Sequence, residues 1–145
     1  MGEWERGSGG GGLHVGGLHV GRLKVEGRCN YRRARSLRIA VTGQTADWRA
    51  KVFPVTGGAA YRLCGWFKGS GGAECFLTIR FWSDAGGSQF VGESNIPLDG
   101  SYAAWTEKKA TFFAPAGAVS ADVMLRCPAN TTVHLYGDDF AVSPA

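Results

Sequence analysis

Hydrophobic and polar positions alternate with a period of two through most of the chain beyond residue 35, most clearly in YRLCGWFKGSGGAECFLTIRFW, Tyr61 to Trp82. In its second half Leu77, Ile79 and Phe81 share one face, and Phe76, Thr78, Arg80 and Trp82 the other, because successive strand side chains point to opposite sides. The first half repeats this, with Leu63, Gly65 and Phe67 set against Arg62, Cys64, Trp66 and Lys68. Gly69, Ser70, Gly71 and Gly72 separate the halves, so the pattern predicts a hairpin of two antiparallel strands. If the aliphatic sets face one core, Trp66 and Trp82 both project from the opposite face. The competing reading buries both indoles, as large aromatics mostly are.

The same period predicts strands on either side. Ser36–Thr42 alternates Leu37, Ile39 and Val41 with Arg38 and Ala40, and Asp47–Phe53 forms a strand ended by Pro54, which supplies no ladder donor. Gly86-Gly87 turns into a short strand at Ser88–Gly92. Residues 93–104 read as an exposed loop, broken by Pro97, Asp99 and Gly100. Trp105–Ala114 resumes a strand and Ala114-Pro115-Ala116-Gly117 turns it. Ala121–Cys127 sets Val123, Leu125 and Cys127 inward and Asp122, Met124 and Arg126 outward. Thr132–Gly137 alternates Val133 and Leu135 with His134 and Tyr136, and Asp138–Val142 closes the pattern. Eight or nine short strands with regular turns, and no amphipathic helix, indicate an all-β sandwich or jelly roll of two antiparallel sheets.

Residues 1–35 break the pattern. Ten of the 23 glycines fall within residues 1–27, around a five-residue repeat: Leu13-His14-Val15, Leu18-His19-Val20, Leu23-Lys24-Val25. Three such repeats are too few for a solenoid. His14 and His19, five apart, share no face of a strand or helix, so a metal pair there is poorly supported. The expected division is a glycine-rich, basic segment over 1–35, able to supply first strands, and a sandwich domain over 36–145.

Size and composition narrow the function. A chain of 145 residues is one domain, large enough to fold without a metal or disulfide staple. The net charge of +4 is local. Arg22, Lys24, Arg28, Arg32, Arg33, Arg35 and Arg38 against Glu26 place +6 in residues 22–38 and leave −2 for the rest. That run can attract nucleic acid or an acidic polysaccharide, but a solvated basic loop is the favoured reading, and nucleic acid ranks last among partners. No window is apolar for the ~20 residues a membrane helix needs, and no signal-peptide h-region opens the chain. Cys29, Cys64, Cys75 and Cys127 allow three pairings that sequence cannot rank. The hairpin register argues against Cys64–Cys75, and buried free thiols are the default.

Catalysis requires a converging acid, base or nucleophile. The sequence has no nucleophile elbow, HExxH or phosphate loop, and Glu74, Asp84, Glu93, Asp99 and Glu107 fall near turns and strand ends. No enzymatic activity of its own is expected.

A set of motifs in order carries a family resemblance: Val52-Phe53-Pro54; Tyr61-Arg62-Leu63-x-Gly65-Trp66-x-Lys68; Leu77 to Asp84 with Gly86-Gly87; Trp105-Thr106; Phe113-Ala114-Pro115-Ala116-Gly117-Ala118; and Leu135-Tyr136-x-Asp138-Asp139-Phe140. Over roughly residues 36–143 this resembles the jelly-roll carbohydrate-binding modules of the galactose-binding-like superfamily attached to xylanases, glucanases and other polysaccharide-degrading enzymes. The resemblance implies a structural calcium held by Glu5 with Asp138 or Asp139, a group suited to an ion that takes six to eight oxygens. It also implies a sugar site on a concave sheet face or in end loops. For the concave face the outward set is Trp66, Arg80, Trp82, Arg126, His134 and Tyr136, where flat aromatics cover sugar C–H groups and arginines bond hydroxyls or acidic groups. Trp48, Tyr31 and Tyr102 are the loop candidates.

The expected function is therefore a non-catalytic module that binds polysaccharide or oligosaccharide outside the cell, next to a catalytic domain in a longer parent protein. The alternatives are a structural or adhesive β-sandwich that contacts protein, and a jelly-roll lyase or hydrolase acting on an acidic polysaccharide.

Overall fold

The computed structural model describes residues 2–6, 22–23, 37–42, 46–50, 52–73, 75–127 and 132–145, with side chains for 49–50, 52–73, 75–127, 133–137 and 140–145. Eleven strands run through them: β1 (Gly2–Arg6), β2 (Arg22–Leu23), β3 (Leu37–Thr42), β4 (Ala46–Ala50), β5 (Phe53–Pro54), β6 (Ala60–Ser70), β7 (Phe76–Trp82), β8 (Phe90–Pro97), β9 (Ser101–Phe113), β10 (Ser120–Cys127) and β11 (Thr132–Pro144). The larger sheet has seven strands, in the order β2-β1-β4-β10-β7-β8 with β5 also on β10. The smaller has four, β3-β11-β6-β9. Every pairing is antiparallel. The all-β sandwich is the fold the alternation predicts.

Its core lies between the inner faces. Leu77, Ile79 and Phe81 of β7 stand opposite Leu125, Val123 and Ala121 of β10, and all six are buried. Across the sandwich they meet Leu63 and Phe67 of β6 and Leu135, Phe140 and Val142 of β11, in one cluster. Each such large apolar side chain contributes roughly 1.5–3 kcal/mol by leaving water. Cys64 and Thr78 of the set assigned outward are buried, while the inward assignments for β6 and β7 hold.

Their pairing does not. β6 bonds β9 and β11 in the smaller sheet, while β7 bonds β10 and β8 in the larger, so Tyr61–Trp82 is not a hairpin. The glycine stretch carries the chain from one sheet to the other. Gly69 has φ of +102°, and a Cβ there would lie 2.1 Å from the carbonyl oxygen of His134. The N–H groups of Gly71 and Gly72 donate to Gly100 and Leu98, so the crossing segment is tied to the β8–β9 connection. Two strands with one apolar face each can lie side by side or stack face to face. The alternation is the same in both cases.

Three other boundaries differ. β8 runs on to Pro97 where a loop was expected, and β9 begins at Ser101, not Trp105. Pro97 is tolerated because β8 is an edge strand of its sheet and Pro97 is its last residue. The strand expected at Asp47–Phe53 is two, β4 and β5, both laid on β10. Within residues 1–35, β1 pairs β2 and β4 in the larger sheet. His14, His19 and most of the basic run lie outside the described residues.

Phe67 and Phe140 meet edge to face in the core, with ring centroids 5.7 Å apart at 73°. They fit only because Gly137 has no side chain: a Cβ there would sit 2.6 Å from Cζ of Phe140 and 3.1 Å from Phe67. Neither ring has space to yield in a filled core. Gly137→Ala is expected to lower stability by about 1–3 kcal/mol, the usual cost of overpacking. Urea denaturation should show a lower midpoint with an unchanged slope.

Candidate functional site

The outer face of the larger sheet carries the most structured polar group among the described residues. Strand parity places Thr78, Arg80 and Trp82 of β7 there, and the register sets Arg80 directly opposite Asp122 of β10. The guanidinium grips the carboxylate with two bonds: Nε donates to Oδ1 at 2.8 Å and Nη2 to Oδ2 at 2.5 Å. Both side chains are largely removed from water, at 16% and 7% exposure, so this is a buried ion pair and not a solvated surface contact. Arg80 also lies over the Trp82 ring, 5.0 Å from its centroid, a cation–π distance. Beside them Thr78 donates to Oδ1 of Asn95 on β8 at 2.5 Å.

Arg49, Ala50, Val52, Arg80, Trp82, Gly87 and Asp122 line an open pocket of about 360 Å³ on this face. Trp82 is half-buried, and its Nε1 is enclosed without a hydrogen-bond partner. Phe90 at the start of β8 meets the Trp82 ring edge to face at 5.7 Å and is itself 53% exposed, so the aromatic surface continues outward from the pocket. The turn after β7 fixes this corner. Asp84 accepts N–H bonds from Gln89 at 2.7 Å and Ser88 at 2.9 Å, and the Ser88 hydroxyl at 2.8 Å. These donors, the Gln89 N–H foremost, hold its carboxyl below the usual carboxylate range. Its carbonyl accepts the Ser120 hydroxyl at 2.5 Å, joining the turn to β10.

The six residues expected to share one face are divided between two. Arg80 and Trp82 meet at the pocket. Arg126 lies on the same face but four residues along β10 from Asp122, roughly 13 Å at strand spacing. Trp66 of β6 and His134 and Tyr136 of β11 belong to the smaller sheet, whose outer face points the other way. There the His134 and Tyr136 rings lie 5.4 Å apart, with Nε2 and the hydroxyl at 3.3 Å. Of the loop candidates, Tyr102 is buried with Lys108 Nζ 5.2 Å from its ring centroid, Trp48 lies on β4, and Tyr31 is outside the described residues.

The pocket also holds residues the sequence did not single out. Asp122 was legible as outward-facing, but only the β7–β10 register makes it the partner of Arg80. Arg49 reaches the same face because β4 lies on β10, with Arg49 opposite Met124. For the calcium, the side chains of Glu5, Asp138 and Asp139 lie outside the described residues. Their backbones sit in different sheets, Glu5 on β1 and the two aspartates on β11. No group of three or more His, Cys, Asp or Glu suited to a metal occurs among the described residues.

No family model and no curated protein matches the chain by sequence. Solved structures do match in shape. The enzymatically active domain of bacteriophage CBA120 tailspike protein 4 superposes with a TM-score of 0.67 at 16% identity, over 98% of this chain and 19% of that one. A structure titled Family 16 Carbohydrate Binding Module-2 gives 0.52 at 18% identity, over 79% of each chain. The CBM22-1–GH10 modules of Clostridium thermocellum endo-1,4-beta-D-xylanase 10B, complexed with xylohexaose, give 0.59 at 15% identity, over 98% of this chain and 26% of that one. The fold is that of the jelly-roll carbohydrate-binding modules. The chain spans about a fifth of the tailspike domain and a quarter of the xylanase chain it matches.

Two outcomes are expected of this site. Asp122→Ala leaves the Arg80 guanidinium uncompensated where little water reaches it and should cost about 3 kcal/mol or more in chemical denaturation. Replacing the pair together, as Arg80→Met with Asp122→Leu, should recover most of that loss. Asp84 acts through pH. A depressed carboxyl pKa contributes order that is present above the ordinary value of 3.8 and lost as pH falls through the folded-state value. The amide resonances of Ser88 and Gln89 should therefore stay fixed near pH 5 and shift together on acidification to about pH 2.5. Asp84→Ala should abolish that shared step.

Proposed function

We propose that the chain is a non-catalytic glycan-binding module whose saccharide contacts centre on the Trp82 corner of the larger sheet. One observation carries the reading: a half-buried indole lies beside a bidentate Arg80–Asp122 pair and lines an open pocket on the outer face of the larger sheet. An aromatic face covers the C–H side of a sugar ring at low entropic cost, and fixed guanidinium and carboxylate groups bond the equatorial hydroxyls around its edge. The ion pair is already formed, so little ordering remains when ligand arrives. The fold shared with named carbohydrate-binding modules supports a polysaccharide or oligosaccharide partner. Neighbours in which such a module is joined to a catalytic one support an attached enzyme in a longer parent protein. Cys64 is disulfide-bonded, which favours an oxidising, extracellular setting.

A second reading is favoured by one feature. Phe113, 72% exposed, with Val119 and Phe90, leaves large apolar side chains in water near one end of the sandwich, as an adhesive contact with protein would require.

Affinity electrophoresis through gels containing soluble xylan, β-glucan or galactan separates the two. Trp82→Ala is expected to weaken retention roughly tenfold, about 1.4 kcal/mol, while Trp66→Ala on the other sheet leaves it unchanged. The opposite pattern would move the site to the smaller sheet. Blank gels together with a Phe113→Ser effect on self-association or partner capture would favour the adhesive reading.

A further inference from the structure

Two thiols remain outside the proposed glycan site. Cys75 and Cys127 are free and fully buried, while Cys64 is already in a disulfide. They come from opposite ends of a 53-residue stretch, yet the fold brings them face to face. β7 and β10 are paired through Phe76 and Arg126; Cys75 immediately precedes β7 and Cys127 ends β10, each one residue beyond that pair. Both have the parity of Leu77 and Leu125, so both side chains point into the core. The Cys75 backbone is held on both sides, its N–H donating to Gly72 at 3.1 Å and its carbonyl accepting from Leu98 at 2.8 Å.

We propose that Cys75 and Cys127 are a disulfide-forming pair that staples the start of β7 to the end of β10. Directly opposed residues of an antiparallel pair have Cα atoms about 4.5–5.5 Å apart, inside the roughly 4.4–6.8 Å window that a disulfide spans. The bond therefore forms without shifting either strand. A small-molecule disulfide such as oxidised glutathione supplies the oxidant. The Cys75 thiolate attacks one of its sulfurs and expels one glutathione thiolate. Cys127 then gives up its proton and attacks the Cys75 sulfur of the mixed disulfide, expelling the second. Two protein thiols become one disulfide, and one glutathione disulfide becomes two glutathiones. The exchange runs while these strand ends are open, before the core closes over them. The staple ties together the two strands that carry Arg80, Trp82 and Asp122.

The test uses the full chain. Protein that has been reduced and denatured is refolded with oxidised glutathione present, then unfolded with a thiol-alkylating agent, digested without reductant and mapped by mass spectrometry. A peptide pair joined through Cys75 and Cys127, and separated by dithiothreitol, is the expected result. Both cysteines recovered alkylated would overturn the proposal, as would glutathione adducts that never close. Thermal unfolding gives a second measurement. Because reduction also opens the Cys64 disulfide, wild type is compared with Cys75→Ala/Cys127→Ala. Wild type should lose roughly 5–10 °C more on reduction than the double variant. Equal losses would count against the staple, and the peptide map needs no variant to fold.

Discussion

Two sheets that are each apolar on one side must bury those sides against each other, and this constraint organises the molecule. Leu77, Ile79 and Phe81 on β7, with Ala121, Val123 and Leu125 on β10, close against Leu63, Phe67, Leu135 and Phe140 from the smaller sheet. A one-residue slip of β7 would carry Arg80 into that interior and push Ile79 into solvent. The register that seals the core is thus the register that sets Arg80 across from Asp122 and leaves Trp82 at the rim of the pocket. Site and core are two faces of one alternation.

The alternation was readable in the sequence because a period of two needs only local information. That Leu77 and Ile79 face inward and Arg80 and Trp82 outward follows from chain geometry alone. Which strand lies beside which does not. β6 and β7 are separated by a few glycine-rich residues and look like a hairpin, yet their inner faces meet across the core and not along a shared edge. The six-residue saccharide set therefore mixed two outer faces: Trp66, His134 and Tyr136 belong to one sheet, Arg80, Trp82 and Arg126 to the other. Pairings such as Arg80 with Asp122 join residues 42 apart in the chain, and no local pattern announces them. The strand through Pro97 was obscured for a related reason, since only its place at a sheet edge makes a proline acceptable there.

The polar groups at the pocket show how a rigid binding surface is made on a β-sandwich. Arg80 is held by Asp122 and covers the indole of Trp82. The Asp84 turn anchors the following loop to β10 through Ser120. Arg80 and Trp82 each meet a side chain from a neighbouring strand, Asp122 and Phe90, so their arrangement is a property of the sheet. Such preorganisation lowers the entropic cost of holding a flexible polymer.

The crossing at Gly69 also bears on how the molecule is made. Because that segment hands the chain to the opposite sheet, β6 finds no partner in β7 and waits for β9 and β11, while β7 waits for β8 and β10. On the ribosome the centre of the larger sheet stays open until residues beyond Ser120 emerge, and that of the smaller sheet until β11, Thr132–Pro144, does. Strands with such distant partners assemble slowly and expose apolar edges in the meantime. Synthesis must pass β10 before one layer can close and β11 before the other.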